Sequence, residues 1–338
     1  MRLNLPLAII MYAVCLAFPT LTFAQTVIKL TTASWGYLIV PVSINGSGPY
    51  PFLLDTGSNS TLVRNELLDT LGISSKKLTP AHVMGGVSYL RQTVADIVTV
   101  ADLSIHGLAI EGMDADQISR LRAPIQGVLG EDFLKHFDIL IDNHAKTLTL
   151  DHGFDLAHSL TGDHLPLSFS GVRSGHSTAD RLVLGLNLPS SEVTTHLLID
   201  SGTNYATFFP LKPMPPGGGA MPRANLQTFI GNSRCRVDFV TLKFGTNRFP
   251  DLRLVSCEGI TRDKVDVDGT LPTNIFHRLF ISHASGYAIA NPRFLKPSAG
   301  SLPGSSDGIS PNASGRLDPL WKGFAKYPVG RRSVLGQR

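Results

Sequence analysis

Two short stretches of this chain, one in each half, repeat the same order of chemistry. The first reads Phe52-Leu53-Leu54-Asp55-Thr56-Gly57-Ser58, and the second reads Leu197-Leu198-Ile199-Asp200-Ser201-Gly202-Thr203. In each, three apolar residues precede an aspartate, a hydroxyl residue, a glycine and a second hydroxyl residue. Three consecutive apolar side chains spell a strand buried on both faces, so the aspartate at its end is carried inward. The glycine two positions later permits a sharp turn and the close approach of another backbone. Hydroxyls beside the carboxylate supply hydrogen bonds that a buried acid needs. A single Asp-Thr-Gly triplet recurs by chance among common residues, but two copies behind two apolar strands do not arise readily by accident. Asp55 and Asp200 are therefore a candidate pair of buried acids that meet, flanked by Thr56, Gly57, Ser58, Ser201, Gly202 and Thr203. Taken singly, either aspartate also reads as a turn residue capping a strand end.

The flanking sequence predicts a mainly β protein. Alternating apolar and polar residues mark strands at 28–30, 37–44, 52–54, 94–100, 108–111, 139–141 and 148–150. Asn45-Gly46-Ser47-Gly48-Pro49 is a hairpin turn signal between two of them. Short helices are expected at 64–71 and 132–136. The second half repeats the order, with strands at 181–188, 196–199, 236–244, 252–256 and 287–290. The Pro/Gly-rich 210–222 reads as a surface loop, and the polar, His-rich 151–178 as the crossover between halves. Beyond residue 292 the chain is dense in Ser, Gly and Pro, which predicts a flexible tail over 293–338. Leu317, Leu320, Trp321 and Phe324 leave a docked tail as the alternative. The domain reading is thus 1–24, 25–155, 156–292 and 293–338.

Residues 1–24 read as a signal peptide: Arg2, an apolar run, and Thr22-Phe23-Ala24 as a small-x-small cleavage site. An uncleaved anchor is the competing reading, although the apolar run is short for a span. With cleavage the mature chain starts at Gln25, close to its first strand, so activity without removal of a propeptide is expected, as is an exported, periplasmic or secreted location without stable membrane insertion. Cys235 and Cys257 remain after Cys15 departs, and in an oxidising compartment they are expected to pair, two separate buried thiols being the other possibility. A net charge of +4 with no run of basic residues excludes nucleic acid as an expected partner. Eleven histidines contain no metal-ligand spacing, and the group His152, His158, His164 and His176 reads as solvated surface. Gly304-Ser305-Ser306-Asp307-Gly308 lies in the tail without a preceding strand, so it is not a nucleophile elbow. No metal and no cofactor are implied.

The two Asp loops resemble the signature of the aspartic peptidases of the pepsin-like and retropepsin-like clan, and the likeness runs from about residue 26 to 292. Gly127-Val128-Leu129-Gly130-Glu131-Asp132-Phe133-Leu134 resembles the later apolar-Gly strand and helix of that clan, as found in bacterial exported members. Its second copy, Asp268 to Phe276, carries Pro272 where glycine is expected. The resemblance implies two pseudo-symmetric β-barrel lobes with a cleft between them, a monomer, and hydrolysis of a peptide or protein by one water held between Asp55 and Asp200. It implies that Thr56 and Ser201 cross-brace the loops, and that the Ser58 and Thr203 hydroxyls bond the outer carboxylate oxygens. It also implies a flap within 81–93, with Gly85 and Gly86 at its tip and Tyr89 as its aromatic. An inactive barrel that binds peptide or glycan in the cleft is the rival reading.

Overall fold

The computed structural model describes residues 25–74, 77–83, 86–114, 124–153, 155–169, 182–187, 194–209, 223–228, 231–257 and 267–295. The expected signal segment, the loop at 210–222 and the chain beyond Leu295 lie outside these residues, as do Gly85 and His176. The described residues form one compact unit. Among the described residues no helix is long and apolar enough to cross a membrane.

The period-two pattern of the first half produces β1 (Thr26–Lys29), β2 (Thr31–Thr32), β3 (Leu38–Ile44), β4 (Ser47–Leu54) and β5 (Thr61–Arg64). A helix, α1 (Asn65–Thr70), leads to β6 (Leu78–Val83), β7 (Gly86–Val100) and β8 (Leu103–Met113). Then come β9 (Gly127–Leu129), α2 (Glu131–Leu134), β10 (Asp138–Asp142) and β11 (Thr147–Asp151). The Asn45-Gly46 signal becomes the turn between β3 and β4, with both residues at positive φ. The crossover supplies α3 (Asp155–Ser159), β12 (Leu160–Thr161) and β13 (His164–Phe169). The second half runs β14 (Leu182–Asn187), β15 (Thr194–Asp200), β16 (Ala206–Phe208), β17 (Arg223–Thr228), β18 (Gly231–Phe244) and β19 (Asn247–Cys257). It ends with β20 (Gly269–Pro272), β21 (Arg278–Ser282), β22 (Tyr287–Ala290) and β23 (Arg293–Phe294).

The mainly β expectation holds, and the strand order repeats. In the first half neighbours run β3-β4-β9-β5-β8-β7-β6, and in the second β14-β15-β20-β16-β19-β18-β17. In both, the strand ending at the aspartate lies parallel to the short apolar strand of the later element: Leu54 sits opposite Leu129, and Asp200 opposite Pro272. An added pairing of β3 with β7 closes the first ring of strands, while the second is an open run among the described residues. Pro272 is the last residue of β20, opposite Asp200.

A sheet in the order β1-β11-β10-β21-β22-β13 joins the halves through the antiparallel pair β10 and β21, with Leu140 opposite Phe280. Ile139, Ile141, Leu279 and Ile281 face a core that runs continuously into both halves, from Val40 and Phe133 to Leu197 and Leu271. Leu140 and Phe280 face the other way and are covered by Leu156 and Leu160. The polar 151–178 therefore contains structural elements that the sequence reading assigned to a plain connection. Its His152, His158 and His164 are exposed as expected, His164 stacking on Tyr287 at 4.0 Å. Cys235 and Cys257 face each other across β18 and β19 and form a disulfide.

Candidate active site

Phe52, Leu53 and Leu54 are almost wholly buried, as are Leu197, Leu198 and Ile199, so both aspartates ride into the interior on apolar strands. Past each aspartate the chain turns and meets its counterpart. Thr56 donates its N–H to Ser201 Oγ at 3.0 Å and its hydroxyl to the Ile199 carbonyl at 3.0 Å. Ser201 returns both bonds, its N–H to Thr56 Oγ1 at 3.0 Å and its hydroxyl to the Leu54 carbonyl at 2.7 Å. These four buried bonds lock the two loops in one relative position. Thr56→Val removes one buried donor and leaves the Ser201 N–H unpaired, so it should cost about 1–3 kcal/mol. Urea denaturation checks this, and an unchanged midpoint would show that the brace carries no stability.

The brace leaves no room at Gly57 or Gly202. A methyl group on Gly57 would lie 2.6 Å from Asp200 Cγ, and one on Gly202 would lie 2.6 Å from Asp55 Oδ1. Each glycine thus abuts the other loop's carboxyl group, and the two carboxyls hydrogen-bond to each other. Asp55 also accepts the Gly57 N–H at 2.9 Å and the N–H groups of Ser58 and Gly202. Asp200 accepts from the Gly202 and Thr203 N–H groups, and its Oδ1 is buried without a hydrogen-bond partner among the described residues.

The Ser58 and Thr203 hydroxyls correct the expectation drawn from the resemblance. Ser58 Oγ donates to the Ser60 carbonyl at 2.8 Å and Thr203 Oγ1 to the Tyr205 carbonyl at 3.4 Å. A hydroxyl has one proton to give. With it committed to a carbonyl, the carboxylate takes the backbone N–H of the same residue instead.

Burial pushes both carboxyls above their ordinary value, against the N–H groups that favour the charged form. Asp200 is driven further, because the neighbouring charge of Asp55 adds to burial, and its hydrogen bond to Asp55 favours the Asp55 anion. Two carboxyls so close titrate as a pair, and ionising one makes ionising the other harder. Burial, and then the charge of Asp200 with Tyr205 and Asp55 behind it, pushes Tyr37 up to about 12. Its hydroxyl therefore stays protonated beside the carboxyls. The sequence reading placed Tyr37 only as a strand residue, and nothing local marks it as part of the site.

The loop carrying Asp55 rests on α2 and the residue before it. Glu131 N–H donates to the Ser58 carbonyl at 2.8 Å and Asp132 N–H to the Asn59 carbonyl at 3.2 Å. The Asp132 carboxylate accepts the Thr61 N–H at 2.8 Å and its hydroxyl at 2.6 Å. The element 127–134 is thus the platform under the first loop.

The expected flap coincides with the antiparallel hairpin of β6 and β7, in which Gly86 pairs with Val83. Tyr89 is 68 % exposed, whereas Leu90, on the opposite face of the strand, joins Ile39, Leu53, Met113 and Ile125 in a cluster that reaches Tyr37. Leu90 thus packs into the cluster that includes Tyr37, while Tyr89 stands out from it. Among the described residues no group of His, Cys, Asp or Glu is arranged to hold a metal ion.

Residues 40–133 match the family model for aspartyl protease, a span that contains Asp55, the hairpin and all but the last residue of the platform, and stops short of Asp200. Among solved structures the chain is similar to a retropepsin-like aspartic protease from Rickettsia conorii, at 18 % identity and a TM-score of 0.30, covering 38 % of this chain and 91 % of that one. No curated protein matches.

Proposed function

We propose that this chain is an aspartic endopeptidase in which the two halves are lobes, with a peptide held in the cleft between them. The observation that carries the reading is the reciprocal bracing of Thr56 and Ser201, which sets the Asp55 and Asp200 carboxyls side by side. One carboxyl of the pair, ionised, acts as base. It takes a proton from a water whose oxygen attacks the scissile carbonyl carbon. The other gives its proton to the carbonyl oxygen, and a neutral tetrahedral diol results. On collapse a diol proton returns to a carboxylate, the nitrogen takes a proton from the acid, and the C–N bond breaks. No covalent enzyme intermediate forms. The protonated Tyr37 hydroxyl, close enough to both carboxyls to feel their charge, is a polar group that can face the diol. An oxidising, extracytoplasmic setting suits the disulfide. The working unit is a single chain, because one chain carries both acids.

Cleavage of a denatured protein substrate across pH, with and without pepstatin, tests the reading. The rate of kcat/KM should be bell-shaped. On the acid side it falls as the pair takes up a second proton, and on the alkaline side it falls as the pair loses its last one, both carboxyls being raised above 3.8. Pepstatin should suppress cleavage throughout. Absence of cleavage at every pH, or pepstatin-resistant cleavage, would defeat the proposal.

A further inference from the structure

The two halves grip each other's platforms through one residue each, and the two grips differ in chemistry. After β10, Asn143 reaches into the second half: its side-chain N–H groups donate to the Thr273 carbonyl at 2.8 Å and the Phe276 carbonyl at 3.1 Å. After β21, His283 makes the corresponding reach into the first half. Its Nδ1 lies 2.9 Å from the Phe137 carbonyl and its Nε2 lies 2.6 Å from Glu131 Oε2. Thr273 follows Pro272 at the end of β20, and Glu131 follows Gly130 after β9, so the two grips occupy matching places in the repeated strand order. One is neutral. The other is an acid–base pair whose side chains are 6 % and 2 % exposed.

An amide suffices for the grip, as Asn143 demonstrates, and burying an ionisable pair carries a desolvation cost that an amide avoids. The Glu131 side chain leans wholly on His283, since Glu131 Oε1 has no hydrogen-bond partner among the described residues. The pair also sits directly behind the proposed catalytic loop. Glu131 N–H holds the Ser58 carbonyl, and the Ser58 N–H in turn holds the Asp55 carboxylate.

We infer that Glu131 and His283 are a positioning pair, through whose ionic hydrogen bond the second half holds the platform that seats the Asp55 loop. The effect on rate rests on the peptidase reading; the grip itself does not. His283 faces Glu131 and Asp138, with His136 nearby, and Glu131 faces His283, Asp132 and Asp55. Burial works against the His283 cation, but the hydrogen bond and charge of Glu131, aided by the Phe137 carbonyl and Asp138, outweigh it and raise its proton affinity. Burial raises that of Glu131, with His283 pulling the other way. The pair thus retains one proton longer than either group alone. Because the folded value of His283 is raised, its stabilisation is complete below the ordinary 6.5 and disappears as pH climbs through the folded value. A buried Glu131 anion then faces a neutral ring, and the platform loosens.

The test uses the full chain as wild type, Glu131→Gln, His283→Gln and the double variant. Melting temperature is followed from about pH 5 to about pH 9, the window in which histidine titrates, with Asp200→Asn added to every form so that ionisation of that acid contributes no step. The form with the pair intact should lose stability in a step above neutrality, and the step should vanish when either member of the pair is replaced. In cleavage assays below the step each single variant should lose roughly ten- to a hundredfold in kcat with KM little changed, as displacement of a catalytic loop produces. Should the variants not fold, 13C-histidine NMR of the wild type decides instead: one buried imidazole must titrate above the ordinary range. A step that survives in His283→Gln, or an absence of any such histidine, overturns the inference. If no peptide is cleaved by any form, the peptidase reading fails while the melting and NMR results still judge the grip.

Discussion

Asp200→Asn should reduce peptide cleavage by roughly 10³-fold or more, at every pH, while leaving the fold intact. The substitution keeps the shape of the side chain and removes only its capacity to give and take the shared proton, and general acid–base catalysis of this kind supplies about 10²–10⁴ in rate. Asp200 is buried, and its proton affinity is raised by burial and by the charge of Asp55. The stability it contributes is therefore present at low pH and declines as pH rises through its folded value. An asparagine does not ionise, so the variant should melt at or above the wild-type temperature at neutral pH. Asp55→Asn should be equally inactive, because losing either carboxyl breaks the acid–base pair, although the Gly57 N–H still finds an oxygen acceptor. The readouts are initial rates on an unfolded protein and melting curves on the same samples. A variant that retains wild-type rate at either position would remove that aspartate from the mechanism.

Gly57→Ala and Gly202→Ala should be nearly as damaging, for a steric reason alone. The added methyl would lie 2.6 Å from Asp200 Cγ in the first case and 2.6 Å from Asp55 Oδ1 in the second. Relief requires the carboxyl or the loop to move, and the loops are held by the four bonds between Thr56 and Ser201 and their neighbours. Forcing a methyl into such packing costs about 1–3 kcal/mol. A displacement near 1 Å at reacting groups costs about 10² in rate. Each alanine variant should thus fold with reduced stability and lose at least that factor in kcat. Normal turnover by Gly202→Ala would mean that the acids are not in contact across the loops.

These expectations trace to features of unequal visibility in the sequence. The two aspartates were legible because the signal is local: an apolar strand, an acid, a hydroxyl and a glycine, twice. The reciprocal brace needed more, since Thr56 and Ser201 are 145 residues apart and only the resemblance indicated that they meet. Detail at the level of single protons was misread for Ser58 and Thr203, where nearby carbonyls compete successfully for the hydroxyls. Strands were located but shortened. The expected 94–100 extends to Gly86–Val100, because the polar first part of β7 is held by its pairing with β6 rather than by burial of alternate side chains. The segment 151–178 reads as polar, yet Leu156 and Leu160 cover one face of the central sheet. β21 went unrecognised, since Arg278-Leu279-Phe280-Ile281-Ser282 is too short and too uniformly apolar to show a period. With it went His283, whose partner Glu131 lies 152 positions away. Tyr37 was hidden for the same reason: its importance arises from what surrounds it, not from its neighbours in the chain.

The central claim is that Asp55 and Asp200 act as one unit that keeps a single proton between them. Selective 13C labelling of the aspartate carboxyls, followed by NMR across pH in the wild type and in each Asp→Asn variant, tests it most directly. The account predicts two coupled titrations in the wild type, both above the ordinary 3.8, with the higher one disappearing when either partner is replaced. Two independent carboxyls titrating near 3.8, each unmoved by loss of the other, would contradict it.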